Sequence, residues 1–143
     1  MAVNEITVHA TAEEVYAVLS DRTRYGDWVV GTERTMRGEG PWPEPGSELR
    51  YRTAGPIKLS DRTVVLEADE PRRLRLKTRA WFAPDAEIVI ELHEEDGWTR
   101  IRLEERPAHP LLNVLLGPLG HGLLGLRNAE ALRRLQRLAE GRA

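Results

Sequence analysis

LLNVLLGPLGHGLLGL (residues 111–126) runs without a break into RNAEALRRLQRLAE (127–140), joining an uncharged, glycine-studded apolar run to an arginine-rich amphipathic one. The join decides the fold. A wheel centred on Leu135 at ~100° per residue places Leu124, Asn128, Ala131, Leu132, Leu138 and Ala139 within about 60° of the centre, and leaves Arg133, Arg134 and Arg137 outside. This pattern predicts one long C-terminal helix from His109 to Glu140 with a single apolar stripe, and it sets Asn128 inside that stripe. Gly117, Gly120, Gly122 and Gly125 each lower helix propensity by ~1 kcal/mol relative to alanine. The first half is therefore expected to be the looser half, free to approach another backbone closely or to move. Gly141 supplies a C-terminal stop.

The remainder of the chain has to cover that stripe. Val3 to His9 alternate as a strand, and Thr11 with Glu14 forms a capping box that starts a helix near Ala12. This helix carries Val15, Val18 and Leu19 on one face and ends at Ser20 and Asp21; Arg22 to Trp28 reads as a second short helical turn. Val29 to Arg37 fits a strand, and the proline- and glycine-rich segment from Gly38 to Gly46 is a turn and rigid excursion. From Glu48 onward the period is two. Strands are predicted over Glu48 to Thr53, Ile57 to Ala68, Arg73 to Trp81, Ala86 to Glu94 and Trp98 to Arg106, with short connections that make an antiparallel meander. Because Val64, Val65 and Leu66 are consecutive, the second of these is expected to shift register, at a bulge near Ser60 and Asp61.

Alternation gives the sheet two unlike faces. Leu49, Tyr51, Thr53, Leu74, Leu76, Thr78, Ala86, Ile88, Ile90, Leu92, Thr99, Ile101 and Leu103 share the apolar one. The other is charged, with basic strands (Arg50 and Arg52; Arg73, Arg75, Lys77 and Arg79; Arg100 and Arg102) beside the acidic Glu87 and Glu91, as expected for cross-strand pairs on a solvated face. One apolar sheet face and one striped helix make a two-layer α+β domain over 1–143. A helix laid across a twisted seven-stranded sheet rarely fills the hollow, and ligand pockets form in such gaps.

Composition narrows the function. The chain has 143 residues, 41% hydrophobic and 31% charged, and its 21 basic residues, almost all arginine, are offset by 23 acidic ones to a net charge of −2. No global positive field favours nucleic acid. Without cysteine there is no disulfide scaffold and no thiolate nucleophile. The first ten residues lack a secretory pattern, so a cytoplasmic location is expected. Leu111 to Leu126 is shorter than the ~20 residues of a membrane span. The four histidines never fall at metal-ligand spacing, and neither H-E-x-x-H nor G-x-S-x-G occurs, so no metal and no cofactor is expected. GHGLLG (120–125) matches the dinucleotide-binding pattern in letters only, because no strand precedes it.

The order of elements resembles the helix-grip superfamily (START-like, SRPBCC): a curved seven-stranded antiparallel sheet wrapped around a long C-terminal helix, with two short helices after strand 1. AEEVYAVLSD (12–21), YGDWVVG (25–31), WPEPG (42–46), GWT (97–99) and LRNAEALRRL (126–135) are similar to an actinobacterial group described as polyketide cyclase/dehydrase-like. The resemblance covers essentially the whole chain. It implies an apolar cavity between sheet and helix for a small hydrophobic molecule, lipid- or polyketide-like, and it leaves three activities open: a cofactor-free cyclase or dehydratase, a carrier or sensor without turnover, and a co-chaperone-like interaction module. A homodimer is compatible with it.

Candidate residues follow. Ligand contacts are expected from Trp28, Tyr51, Thr53, Leu76, Ile88, Ile90, Ile101, Leu116, Leu124 and Asn128, with Trp42 at the entrance. An amide in an apolar stripe must find hydrogen-bond partners or lose ~1–3 kcal/mol. Continuing the inward parity of Thr99, Ile101 and Leu103 brings Glu105 to the same side, where Arg127 can reach it. The pair either anchors the helix or, with Asn128, forms the polar end of the pocket and orients a carbonyl or enolate oxygen. In the second case Glu105 or His121 moves the proton.

Overall fold

A computed structural model describes residues 2–29, 32–36, 40–53, 60–79, 86–107 and 110–141, with the backbone alone at 2, 32–36, 51–53, 60–61, 79, 107, 110–121 and 123–124. Strand β1 (Ala2–Val8) leads into α1 (Ala12–Leu19), a 3-10 turn (Arg22–Arg24) and α2 (Tyr25–Trp28). Then come β2 (Thr32–Met36), β3 (Glu48–Thr53), β4 (Ser60–Asp69), β5 (Arg73–Arg79), β6 (Ala86–Glu95), β7 (Trp98–Pro107) and α3 (Pro110–Ala139). The strands form one antiparallel sheet in the order β1-β7-β6-β5-β4-β3-β2.

Local chemistry explains the punctuation. Thr11 Oγ1 accepts from the Glu14 amide at 3.1 Å while the Glu14 carboxylate accepts from the Thr11 amide at 3.3 Å, so α1 starts where the capping box predicts. The β6–β7 hairpin turns on Asp96 (φ 52°) and Gly97 (φ 80°), the two positive dihedrals that a tight hairpin of matching twist requires. At the far end of α3, Gly141 adopts φ 74° and its amide returns to the Leu138 carbonyl at 3.2 Å.

The bulge is at Leu66, not at Ser60 and Asp61. Ser60 and Asp61 pair in regular register with Arg52 and Tyr51, and the shift falls between Val65 and Glu67. Three consecutive apolar residues cannot all point inward on a pleated strand. Inserting Leu66, which is 41% exposed, keeps Val65 opposite Leu76 and Ala68 opposite Leu74. The loop before β3 is fastened at the same place, where the Gly46 amide donates to the Val65 carbonyl at 2.9 Å and the Val65 amide to the Ser47 carbonyl at 3.0 Å. Residues 54–59 and 80–85, which carry the expected ends of β4 and β5, lie outside the described residues.

On its inner face the sheet buries Leu49, Leu74, Leu76, Ile90, Ile101 and Leu103 against Tyr16, Tyr25 and Trp28 from the short helices and Leu132 and Leu135 from α3. The α3 stripe is as the wheel predicts, with Asn128, Ala131, Leu132, Leu135 and Ala139 buried and Arg133 and Arg137 exposed. Three tethers seat the helix on β1 and β7: Asn4 Nδ2 donates to the Gly125 carbonyl (3.0 Å), Arg127 pairs with Glu105 (2.9 Å), and the His9 amide donates to the Glu140 carboxylate (2.7 Å). On the outer face Arg75 bridges Glu67 (3.1 Å) and Glu87 (2.7 Å), and Arg102 bridges Glu91 (3.4 Å) and Glu104 (3.2 Å), as cross-strand charge pairing predicts.

Candidate functional site

Strand parity carries Glu105 to the inner face, between Ala2 on β1 and Ile88 on β6. It is 6% exposed, and Arg127 Nη2 donates to both carboxylate oxygens, at 2.9 and 3.2 Å. Asn128, 5% exposed, follows Arg127 on the same turn of α3 and faces the same carboxylate. Burial raises the Glu105 pKa above the ordinary carboxylate range, and neither Arg127 nor Asn128, both of which favour the charged form, reverses the direction. Among the described residues, Asn128 Nδ2 completes no well-formed hydrogen bond. Asn4 enters from the neighbouring strand. Its Nδ2 is spent on Gly125, and its buried Oδ1 has no partner among the described residues.

Exposure changes along the inner face. Leu74, Leu76, Ile90, Leu92 and Ile101 are buried, whereas Thr78, Ala86 and Ile88, toward the Glu105 end, are only partly so. Glu105, Arg127 and Asn128 therefore meet beside a partly covered stretch of the sheet, while Leu76, Ile90 and Ile101 form close-packed floor. Trp28 belongs to the packed part as well: it is 5% exposed and lies edge-on to Tyr25, ring centroids 5.6 Å apart. Tyr25 in turn shares a hydrogen bond with Thr63 Oγ1 (3.1 Å), and Trp42 Nε1 donates to the Leu19 carbonyl (3.0 Å), which pins its loop to the end of α1. Tyr51, Thr53, Leu116, His121 and Leu124 are placed by backbone alone, and their side chains lie outside the described part; so does the whole of His109.

Other expectations resolve directly. The GHGLLG stretch lies wholly inside α3, so its glycines cradle no phosphate. A Cβ added at Gly122 or Gly125 meets nothing within 4 Å among the described residues, so close backbone approach does not account for glycine at either position. His9 stacks on Trp98 at 4.4 Å on the surface, and His93 is exposed. Among the described residues no group of three or more acidic or histidine side chains could hold a metal ion, and no helix is long and apolar enough to cross a membrane.

Asn4 is the site residue that sequence reasoning passed over. The signal was present, since Asn4 has the parity of Ile6 and Val8, and a polar side chain at an inward position of an otherwise apolar strand face needs a partner.

With sheet, helix and polar cluster in place, comparison with known proteins is decisive at the level of family. A family model described as polyketide cyclase / dehydrase and lipid transport matches residues 2–140. The chain belongs to that family. Solved structures share the fold at low identity. Protein NE0264 from Nitrosomonas europaea is 18% identical with a TM-score of 0.76, over 97% of this chain and 93% of that one. CalU16 from Micromonospora echinospora is 22% identical with a TM-score of 0.56, over 97% of this chain and 83% of that one. DynU16, a protein of the dynemicin biosynthetic locus, is 15% identical with a TM-score of 0.71, over 97% of this chain and 46% of that one. No curated protein matches.

Proposed function

We propose that residues 1–143 form one helix-grip binding domain that holds a small hydrophobic molecule, lipid- or polyketide-like, between the inner sheet face and α3. Glu105, Arg127 and Asn128 form the polar end of that site. Ligand contacts are proposed from Leu76, Ile90 and Ile101 on the floor and Ile88 at the rim, together with Trp28, Tyr51, Thr53, Leu116 and Leu124. The observation that carries this reading is a carboxyl group and an amide buried together on an apolar face, next to a partly covered stretch of it, with the amide donor completing no hydrogen bond among the described residues. Family membership and the neighbour from the dynemicin biosynthetic locus support a ligand of this class.

Turnover, where it occurs, needs no cofactor. As the carboxylate, made more basic than usual by burial, Glu105 takes a proton from the carbon beside a ligand carbonyl; Asn128 and Arg127 stabilise the enolate oxygen so formed, and the carboxyl then gives that proton to the alkoxide produced by ring closure or to the departing hydroxide. That is the chemistry of a cyclase or dehydratase. A carrier or sensor without turnover is the second reading, favoured by the hold of Arg127 on both Glu105 oxygens, which occupies part of their acceptor capacity. The outer face supports an interaction module less well, because Arg75 and Arg102 are already matched by glutamates. Native mass spectrometry of protein purified from its own host tests the binding reading: a small-molecule mass lost on denaturation is expected. Protein that is empty and refuses hydrophobic probes overturns it. For catalysis, Glu105→Gln is expected to abolish conversion of the retained compound; unchanged conversion overturns the proton-transfer role.

A further inference from the structure

Asn4 and Asn128 leave behind a complementary pair of unmet groups. The orientation of the Asn4 amide is fixed, because its Nδ2 donates to the Gly125 carbonyl at 3.0 Å and a flipped amide would set two oxygens against each other. Oδ1 is thus committed as a buried acceptor, and among the described residues it has no partner. Asn128 Nδ2 is a buried donor that faces the Glu105 carboxylate without completing a hydrogen bond among the described residues. Asn4 is tied to the stretch of α3 that carries Asn128, since its partner Gly125 and Asn128 are three residues, or about 4.5 Å of axial rise, apart. Across from them on β7, Asn4 is paired with Leu103, and Asn128 faces Glu105, the next inward residue along the strand.

We infer that Asn4 and Asn128 read a hydroxyl group on the bound molecule: Asn4 Oδ1 accepts its proton and Asn128 Nδ2 donates to its oxygen. The inference rests on the binding reading above and narrows its ligand class to hydrophobic alcohols, phenols and enols. A carbonyl or ether oxygen accepts and cannot serve Asn4, and a hydrocarbon serves neither residue. Water both donates and accepts, so it is the competitor that the hydroxyl displaces.

Equilibrium dialysis of the full chain against 2-naphthol, 2-methoxynaphthalene and naphthalene tests this. The three share one ring system and differ in having donor plus acceptor, acceptor only, and neither. The phenol is expected to bind at least ~10-fold tighter than either analogue, because a site built to bond a hydroxyl rejects ligands lacking it. Asn4→Ala and Asn128→Ala are each expected to shrink that preference below about 3-fold. Equal affinities for the three probes overturn the hydroxyl assignment and leave the pocket standing, whereas no binding of any probe overturns the binding reading itself. A preference that survives both substitutions overturns the role of the two asparagines. Should Asn4→Ala lose its helix tether and fail to fold, the wild-type ranking and Asn128→Ala still decide.

Discussion

Glu104 and Glu105 are consecutive on β7, both nearly buried at 4% and 6% exposure, and they titrate in opposite directions. Glu104 points to the outer face, where Arg106 Nε (2.7 Å) and Arg102 Nη1 (3.2 Å) hold its two oxygens and lower its pKa despite burial. Glu105 points inward, where burial outweighs Arg127 and Asn128 and the pKa rises. One peptide bond separates a charge that the fold has neutralised from one it has left under-compensated. An ion pair that is fully matched serves the architecture. A buried acid that is only partly matched, beside an amide whose donor completes no hydrogen bond among the described residues, has capacity left for something else.

That contrast can be broken in several ways. The largest effect belongs to the apolar side of the inner face: Leu135→Ala is expected to lose ~2–5 kcal/mol of unfolding free energy in urea titration, while Leu66→Ala at the exposed bulge stays within about 0.5 kcal/mol. Equal losses would mean that the two faces are not distinct. Glu104→Gln comes next, at about 1–3 kcal/mol near neutral pH. Its folded pKa lies below the unfolded one, so this stabilisation is present above the unfolded value and disappears as pH falls through the folded value. Wild type and variant should therefore converge in acid.

Glu105→Gln should behave in the reverse sense. With a folded pKa above the unfolded one, Glu105 contributes its stability below the unfolded value and loses it as pH rises through the folded value. Variant and wild type are expected to match in acid, with the variant becoming the more stable as pH rises through that window. A Glu105→Gln profile that tracks Glu104→Gln would reduce the inner pair to a structural anchor. Smallest of all, Arg75→Ala is expected to lower the urea midpoint only slightly, with most of the difference masked in about 0.5 M salt, as befits a partly exposed pair.

Periodicity made much of this legible. The inward set from Leu49 to Leu103 and the α3 stripe around Leu135 could be read because half-buried strands and helices repeat at two and 3.6 residues. The same parity, extended by one step, gave Glu105, and helical spacing gave Arg127. The bulge was less accessible: the run Val64 to Leu66 signals that a register shift must occur, but only pairing with Arg75 and Leu76 settles where. Asn4 was missed for a related reason. A single polar residue in an edge strand reads as surface until the helix that covers it is known. Nor does any pattern in the sequence say that Glu104, one residue from Glu105, is almost equally buried, since that depends on arginines from two positions of its own strand folding over it.

The pairing of β1 with β7 carries a further consequence for how the molecule is made. Strands β3 to β7 each join the strand before them, but β1 finds its place only beside β7 and under α3, roughly a hundred positions later in the chain. During synthesis β1 must wait for that strand partner until β7 has emerged from the ribosome. Since Asn4 is in that segment and Glu105 is on its late partner, the polar end of the proposed site is assembled last, and a nascent chain stalled before α3 has no such site to offer.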